Sequence, residues 1–238
     1  MTNPYDAFSA VSANYVPLSP LSFLPRAASV YPDGEAVIHG KRRYSWRETF
    51  ARCRRLATGL NAIGVGKGDT VSILAPNIPE MVEAHFGVPA SGGVLNAINT
   101  RLDPETIAYI LSHGECRVLL VDKEFAATAS NALAAMDADA AAKITVIDII
   151  DSEYNAPSTP IGVMDYDALL AKGNTDDPWQ LPESEWDALT LNYTSGTTNR
   201  PKGVVYHHRG AYLLCMGTIS DWFAAKRPRY LALVPLFH

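Results

Sequence analysis

Cysteine is scarce in this chain, whose 238 residues contain only Cys53, Cys116 and Cys215. Three cysteines cannot all pair with one another, and no two of them have the C-x-x-C spacing of zinc sites and redox centres. This count argues against the disulfide framework that stabilises small secreted domains. We therefore interpret all three as free thiols in a protein of a reducing compartment.

Positive charge is not in excess either, since 20 Lys and Arg stand against 25 Asp and Glu, a net charge of −5. Binding to nucleic acid or to an anionic membrane usually requires a basic surface. No apolar run approaches the roughly 20 residues that cross a bilayer. Residues 1–20 lack the basic and apolar segments of a secretory signal. We expect a cytoplasmic protein with no transmembrane segment and no nucleic-acid partner.

Helical patterns recur along the first 150 residues. The clearest helix begins after Ser45, with Glu48 in capping-box position and Gly64 as a stop. Its apolar stripe consists of Trp46, Phe50, Cys53, Leu56, Leu60 and Ile63. Asn77 with Glu80 three residues later predicts a second capped start. Asp103 followed by Pro104 predicts a third.

Short apolar runs between these helices predict strands at 70–74, 93–98, 118–121 and 144–147, and residues 36–45 predict a hairpin. Apolar strands separated by helices are typical of the α/β class, with a mostly parallel sheet covered by helices on both faces. Residues 151–160 and 172–185 are polar and contain proline, so we predict surface connections there. A domain sub-boundary is expected near 172–186.

The sequence LTLNYTSGTTNRPKGVV at 189–205 carries the most specific pattern. After a strand-like alternation come five small residues, four of them with hydroxyl groups: Thr194, Ser195, Gly196, Thr197 and Thr198. Hydroxyl and backbone donors, together with the charge of Lys202, suit the oxygens of a polyphosphate. A hydrophilic surface loop is the alternative reading. The order Pro201-Lys202-Gly203 favours phosphate binding, but glycine after the lysine excludes the P-loop of NTPases.

Tyr193 to Val204 resembles the phosphate-binding signature of the adenylate-forming, or AMP-binding, superfamily. This superfamily includes acyl-CoA synthetases, luciferases and peptide-synthetase adenylation domains. The resemblance extends through SFLPRAASVYPDGEAVIHG, GDTVSILAPNIPEMVEAHFGVPASGGVLNAINTRLD and VPLFH. These segments look most like acyl-CoA synthetases, especially the branch of bacterial methylmercaptopropionate-CoA ligases and plant acyl-activating enzymes. The resemblance implies the fold of the large N-terminal domain of such an enzyme.

The resemblance also implies a reaction, that of an ATP-dependent carboxylate–CoA ligase. A carboxylate attacks the α-phosphate of ATP to give an acyl-adenylate and pyrophosphate, and the thiol of coenzyme A then displaces AMP. The implied ligands are ATP, Mg²⁺, coenzyme A and a small carboxylic acid. A short or medium aliphatic acid, a role in fatty acid metabolism and a homodimer are the expectations from this branch.

The resemblance assigns roles to single residues. Thr194, Ser195, Gly196, Thr197 and Thr198 match positions that contact the ATP phosphates, and Lys202 matches the catalytic lysine that pairs with the leaving pyrophosphate. Asn199 stands where many relatives have glycine, a change we expect to be tolerated because asparagine accepts left-handed backbone geometry. Phe237 and His238 match an aromatic–histidine pair that lines the acyl pocket. No metal ligand is assigned.

Two other groups of residues are expected to be structural. His207, His208 and Arg209 could suggest a metal or phosphate cluster, but adjacent residues do not share a helix face. We predict a solvated helix start there. Cys53 lies on the apolar stripe and is expected to pack in the core.

Relatives in this superfamily are longer than 238 residues. They carry later motifs for adenine and ribose, a magnesium-binding glutamate, a hinge and a C-terminal domain with a catalytic lysine. We therefore expect residues 1–238 to be the N-terminal portion of the AMP-binding domain, without the C-terminal domain and inactive alone. Two alternatives stay open: an adenylation domain that feeds a carrier protein, and a non-catalytic nucleotide-binding remnant.

Overall fold

A computed structural model of the chain describes residues 13–194, 200–222 and 228–237, together with positions 3, 5, 8, 10 and 11. Its strands are β1 (Glu35–His39), β2 (Arg42–Ser45), β3 (Thr70–Leu74), β4 (Val94–Ala97), β5 (Cys116–Asp122), β6 (Thr145–Ile149), β7 (Met164–Asp165), β8 (Ala188–Thr194) and β9 (Lys202–His207). β1 and β2 form a separate antiparallel hairpin, as predicted. The other strands form one sheet in the order β7-β6-β5-β3-β4-β8-β9. Its neighbouring strands run parallel except for β8 and β9, which are antiparallel.

Helices connect most of these strands. They are α1 (Phe23–Val30), α2 (Trp46–Ala62), α3 (Pro79–Ala90), α4 (Pro104–His113), α5 (Ala126–Ala135), α6 (Ala138–Ala141), α7 (Tyr166–Lys172) and α8 (His208–Trp222). Among the described residues, none of the helices is long and apolar enough to cross a membrane. The prediction of a mostly parallel α/β sheet is confirmed.

Two apolar clusters lie on opposite faces of the sheet. On one face, Leu56 of α2, Met81 of α3 and Leu169 of α7 pack against strand residues such as Ile73. On the other face, α4 and α5 pack against the alternate strand residues, with Ile107, Ile110, Leu111, Ala129 and Ala132 all buried. Because the strands β3, β4, β5 and β6 are covered on both faces, their side chains are mostly apolar in succession, which is the pattern of the short runs in the sequence.

The starts of the helices show where local sequence decides the structure. In α2, the Ser45 hydroxyl accepts from the backbone of Glu48 and the Glu48 carboxylate accepts from the backbone of Ser45, so the predicted capping box is confirmed. Asp103 likewise accepts from the Thr106 amide at the start of α4. The prediction for Asn77 was wrong. α3 begins at Pro79 after Ile78, without a side-chain cap.

A network of buried charges joins α2, α3 and the β1–β2 hairpin. The guanidinium of Arg42 binds Glu80 and lies 3.1 Å from Asp151. The Arg52 Nε donates to Glu83 at 2.5 Å, and the Tyr166 hydroxyl donates to the other oxygen of Glu83 at 2.9 Å. Both glutamates and Asp151 are at most 5% exposed. The predicted surface connection at 151–160 therefore begins inside the protein, because Asp151 is held there by Arg42 and His39.

Candidate functional site

The site predicted from the sequence lies at one edge of the sheet. The parallel strands β3, β4, β5, β6 and β8 all end at this edge, with Leu74, Ala97, Asp122, Ile149 and Thr194 as their last residues. Ligands of open α/β sheets bind beyond the carboxyl ends of the strands, where the connecting segments diverge. The predicted phosphate-binding segment follows β8 and therefore begins at the edge where such ligands bind.

Thr194 and Lys202 face each other across the base of this segment. Thr194 is the last residue of β8, Lys202 is the first of β9, and the two are register partners. Both residues are exposed. Within the described part of the chain Lys202 has no ion pair, so its ammonium is available to an anionic ligand. The antiparallel return of β9 brings the lysine back to the strand end that carries the threonine.

Several predicted site residues lie outside the described residues. These are Ser195, Gly196, Thr197, Thr198 and His238, together with the variant position Asn199. Their assigned roles stay predictions.

Phe237 lies near the carboxyl end of β3. It is 8% exposed and packs in the same apolar cluster as α2 and α3. Its neighbour Leu236 donates its backbone N–H to the Asn77 side chain at 2.8 Å, and the Asn77 amide donates to the carbonyls of Ala232 and Val234. Strands β3 and β8 are separated only by β4, so their carboxyl ends lie about 10 Å apart.

Asn77 is thus the residue that fixes the segment 232–236 at this edge. Sequence reasoning treated it as a helix cap, because its spacing to Glu80 fits that motif. The alternative partners lie more than 150 residues away, and no local pattern indicates them.

Side chains of α4 contact both flanks of the predicted phosphate-binding segment. The Tyr193 hydroxyl lies 2.7 Å from His113 Nδ1. Beyond the segment, the Arg200 guanidinium lies over the Tyr109 ring, 5.2 Å from its centroid. Burial raises the pKa of Tyr193 to about 12, so its hydroxyl stays protonated and can donate at physiological pH. Sequence reasoning assigned no function to Tyr109 or His113.

The predicted helix start at His208 is confirmed, but the prediction that it is solvated was wrong. His208 is 3% exposed, and its Nδ1 lies 2.8 Å from the buried Ser19 hydroxyl. Burial lowers the pKa of His208 to about 4, so the ring is neutral at physiological pH. The His208 ring is covered by the N-terminal segment around Ser19, which is 189 residues away in the sequence.

The cysteines fit the interpretation as free thiols. None is in a disulfide, and Cys53 and Cys116 are buried. Burial raises the pKa of the Cys116 thiol to about 11 and moves that of Cys53 upward as well. A thiol that stays protonated is a poor nucleophile, so packing is the role of Cys53, as predicted.

Comparison with known families settles the relationship. The family model described as "AMP-binding enzyme" matches residues 24–238. The chain belongs to this family. The resemblance to acyl-CoA synthetases is confirmed by the named relatives of this AMP-binding chain. This AMP-binding chain is 45% identical over 240 residues to a peroxisomal acetate/butyrate–CoA ligase of Arabidopsis thaliana. It is 44% identical over 245 residues to a peroxisomal trans-cinnamate:CoA ligase of Petunia hybrida.

These matches cover 98% of this AMP-binding chain in both cases, but 42% and 43% of the two relatives. The chain therefore spans less than half the length of the curated relatives it matches. Among solved structures, it is similar to the anthranilate CoA ligase AuaEII in complex with anthranoyl-AMP. The TM-score is 0.72 at 25% identity, over 87% of this chain and 38% of that one. The chain thus shares the fold of part of a CoA ligase whose crystal structure contains anthranoyl-AMP.

Proposed function

We propose that this chain is part of an ATP-dependent carboxylate–CoA ligase that acts through an acyl-adenylate. The observation that carries the proposal is the pairing of Thr194 with Lys202 at the carboxyl edge of the sheet. A lysine ammonium with no carboxylate partner in the described part of the chain is suited to the anionic oxygens of ATP. The family match and the named ligase relatives support the same reaction.

In the proposed first step, a carboxylate oxygen of the acid attacks the α-phosphorus of ATP, and the bond from that phosphorus to pyrophosphate breaks. Thr194 and the hydroxyl and backbone donors of Ser195, Gly196, Thr197 and Thr198 hold the phosphate oxygens. Lys202 neutralises the charge that develops on the leaving pyrophosphate. Catalysis here consists of positioning and electrostatic stabilisation, as is general for phosphoryl chemistry.

In the proposed second step, the thiol of coenzyme A loses its proton and its sulfur bonds to the acyl carbon. The bond from that carbon to the phosphate oxygen breaks, and AMP leaves with the bonding electrons. Mg²⁺ bound to the ATP phosphates would neutralise part of their charge during the first step. The described residues contain no group of three His, Cys, Asp or Glu side chains that could hold a metal ion. We assign no protein ligand of this ion within residues 1–238, because the resemblance places the magnesium-binding glutamate of the family later in the sequence.

Phe237 and His238 are proposed to line the acyl pocket. The fixation of segment 232–236 by Asn77 supports this assignment, because it brings Phe237 to the edge at which the phosphate-binding segment begins. The named relatives act on acids as different as acetate and trans-cinnamate. We propose that the substrate is a small carboxylic acid. Short and medium aliphatic acids, which are intermediates of fatty acid metabolism, come first in the panel to be tested.

The test uses the complete natural gene product with a panel of carboxylic acids. We expect acid-dependent exchange of pyrophosphate into ATP, and a thioester with free coenzyme A detected by mass spectrometry. Exchange without thioester, combined with transfer to a carrier protein, would instead support an adenylation domain. Nucleotide binding without exchange for any acid would support a non-catalytic role and overturn the proposal.

Residues 1–238 alone are proposed to be inactive, because they span less than half of the relatives they match. We expect no acid-dependent AMP release from the purified 238-residue chain under conditions in which the complete product turns over. Release at a comparable rate would show that all catalytic groups lie within these residues.

A reducing compartment is proposed for the protein, which the three unpaired cysteines support. We propose the cytoplasm. Imaging of a tagged complete protein against peroxisomal and cytosolic markers tests this, since both relatives carry a peroxisomal label. We also propose a homodimer, which light scattering of the purified protein tests by its mass.

A further inference from the structure

Helix α4 presents two adjacent rings to the residues that flank the phosphate-binding segment, Thr194 to Lys202. Tyr109 and His113 are four residues apart and therefore lie on the same face of the helix. Their ring centroids are 5.3 Å apart. We refer to Tyr109 and His113 as the α4 ring pair.

The first ring contact is made on the incoming side of the segment. Tyr193 immediately precedes Thr194, and its hydroxyl lies 2.7 Å from His113 Nδ1. The two rings also meet edge to face, with centroids 5.7 Å apart. One hydrogen bond and one ring contact thus join the end of β8 to the last turn of α4.

The second contact is made on the outgoing side. Arg200 lies two residues before Lys202, and its guanidinium carbon is 5.2 Å from the centroid of the Tyr109 ring. This distance is within the range of a favourable cation–π interaction. Arg200 forms no ion pair with a carboxylate among the residues described. Since the Tyr109 ring also contacts the His113 ring, at a tilt of 35°, both flanks of the segment meet the same pair of side chains on α4.

Gly114, directly after α4, leaves the space that this arrangement needs. A Cβ atom there would lie 3.2 Å from the Tyr193 hydroxyl and 3.0 Å from the carbonyl oxygen of Ile110. The φ of Gly114 is −83°, so the backbone itself would accept another residue. A side chain at this position would therefore crowd both the Ile110 carbonyl and the Tyr193 hydroxyl, and these neighbours would have to move by a few tenths of an ångström.

We propose that the α4 ring pair positions both ends of the phosphate-binding segment for ATP. Strand pairing of Thr194 with Lys202 fixes the base of the segment, while His113 and Tyr109 hold the flanking residues Tyr193 and Arg200. A segment held in its binding geometry loses less conformational entropy when ATP binds. Tyr109, His113 and Tyr193 are thus positioning residues, and this role in catalysis rests on the proposed function.

The test compares Tyr193→Phe with Tyr206→Phe in the complete protein. Tyr206 is on β9 of the same hairpin and 45% exposed, and no hydrogen bond of its hydroxyl to a described residue is present, so its variant controls for loss of a tyrosine hydroxyl. Two readouts are taken: amide hydrogen exchange of peptides covering 194–202 without nucleotide, and the KM values for ATP and for the acid in pyrophosphate exchange.

For Tyr193→Phe we expect exchange in the segment to be about 3–10-fold faster and the KM for ATP to rise about 3–10-fold, the loss of one hydrogen bond. The KM for the acid should stay within error. His113→Ala should have at least this effect, because it also removes the ring contacts with Tyr109 and Tyr193. Adding Tyr193→Phe to His113→Ala should change little further. His113→Asn should restore part of the loss by offering an acceptor near the position of Nδ1. Tyr206→Phe should match the unmodified protein.

The two readouts separate failure of this proposal from failure of the proposed function. Unchanged hydrogen exchange in the segment for both Tyr193→Phe and His113→Ala would overturn the role of the ring pair, whatever the activity. Faster exchange in a protein that makes no adenylate with any acid would retain the anchoring of the segment and overturn the ligase proposal. Equal increases in the KM of ATP and acid would indicate a general structural effect and would also contradict positioning.

Discussion

Two of the settings in which this chain places cations contrast with each other. Arg42 of β2 and Arg52 of α2 have side chains that are 16% and 20% exposed, and each binds a buried glutamate. Burial by itself lowers the pKa of Arg52, but the adjacent carboxylate of Glu83 outweighs it, so the pKa is raised. Lys202, by contrast, is exposed at the end of the sheet and pairs with no carboxylate of the described residues.

The contrast separates charges that hold the fold from a charge that is free for a ligand. Removing one member of a buried pair leaves the other uncompensated, so the folded state loses stability. Removing an unpaired surface cation costs the fold little, and any loss appears only with the ligand. Substitutions in the two settings should therefore move different measurements.

The largest effect is expected for Arg52→Ala. It leaves the carboxylate of Glu83 buried with only the Tyr166 hydroxyl as a partner, so unfolding free energy should fall by about 3–5 kcal/mol. Denaturant unfolding measures this. Arg47→Ala is the matched control on the same helix, because its pair with Asp33 is exposed and should contribute less than about 1 kcal/mol. Similar losses for both variants would contradict a structural role for the buried network.

Lys202→Ala is the reverse case. Adenylate formation should fall about 10²–10³-fold, as for loss of one transition-state donor, while unfolding free energy changes by no more than about 0.5 kcal/mol. Pyrophosphate exchange and denaturant unfolding measure the two quantities. Lys143→Ala, an exposed lysine just before β6 at the opposite edge of the sheet, should change neither. An unchanged exchange rate in Lys202→Ala would show that the lysine does not contact the phosphates.

Asp122 offers a smaller and pH-dependent comparison. Its carboxylate is 1% exposed, and no described group hydrogen-bonds to Oδ2. Burial raises the pKa of Asp122 to about 6, so ionisation costs stability as the pH rises from about 4 through 6. Asp122→Asn removes this cost. Its unfolding free energy should equal that of the unmodified chain near pH 4 and exceed it by about 2 kcal/mol at pH 7.5.

Urea unfolding at the two pH values tests this, with the exposed Asp176→Asn as a control that should show no pH-dependent difference. If Asp122→Asn changed the unfolding free energy by the same amount at both pH values, the pKa of Asp122 would not differ between the folded and the unfolded chain, which would contradict this prediction.

Local patterns predicted the parts of the fold that are decided locally. Ser45 and Glu48 lie three residues apart and satisfy each other, so the start of α2 could be read directly. The same spacing failed at Asn77 and Glu80, because Asn77 binds backbone near residue 234 and Glu80 binds Arg42. The direction of β9 was not predicted, although a seven-residue connection is too short for the crossover that parallel neighbours need and so favours the antiparallel pairing that is observed.

The candidate site divides in a similar way. Thr194 and Lys202 could be named from the motif, and their pairing across the hairpin agrees with a shared role. The ring pair on α4 could not, because Tyr109 and His113 meet Tyr193 and Arg200 only through the order of the sheet. His208 was taken as solvated because Ser19, which covers it, is 189 residues away in sequence.

The strand order also has a consequence for synthesis on the ribosome. β4 pairs on one side with β3, but its other neighbour β8 begins at Ala188, about ninety residues after β4 ends at Ala97. At about 5–20 residues per second, roughly 5–20 seconds pass before β8 emerges. During that interval an apolar strand has an open edge that can pair with other chains. A chaperone that shields this edge should therefore raise the yield of folded protein. A lower growth temperature, which weakens apolar association, should have the same effect.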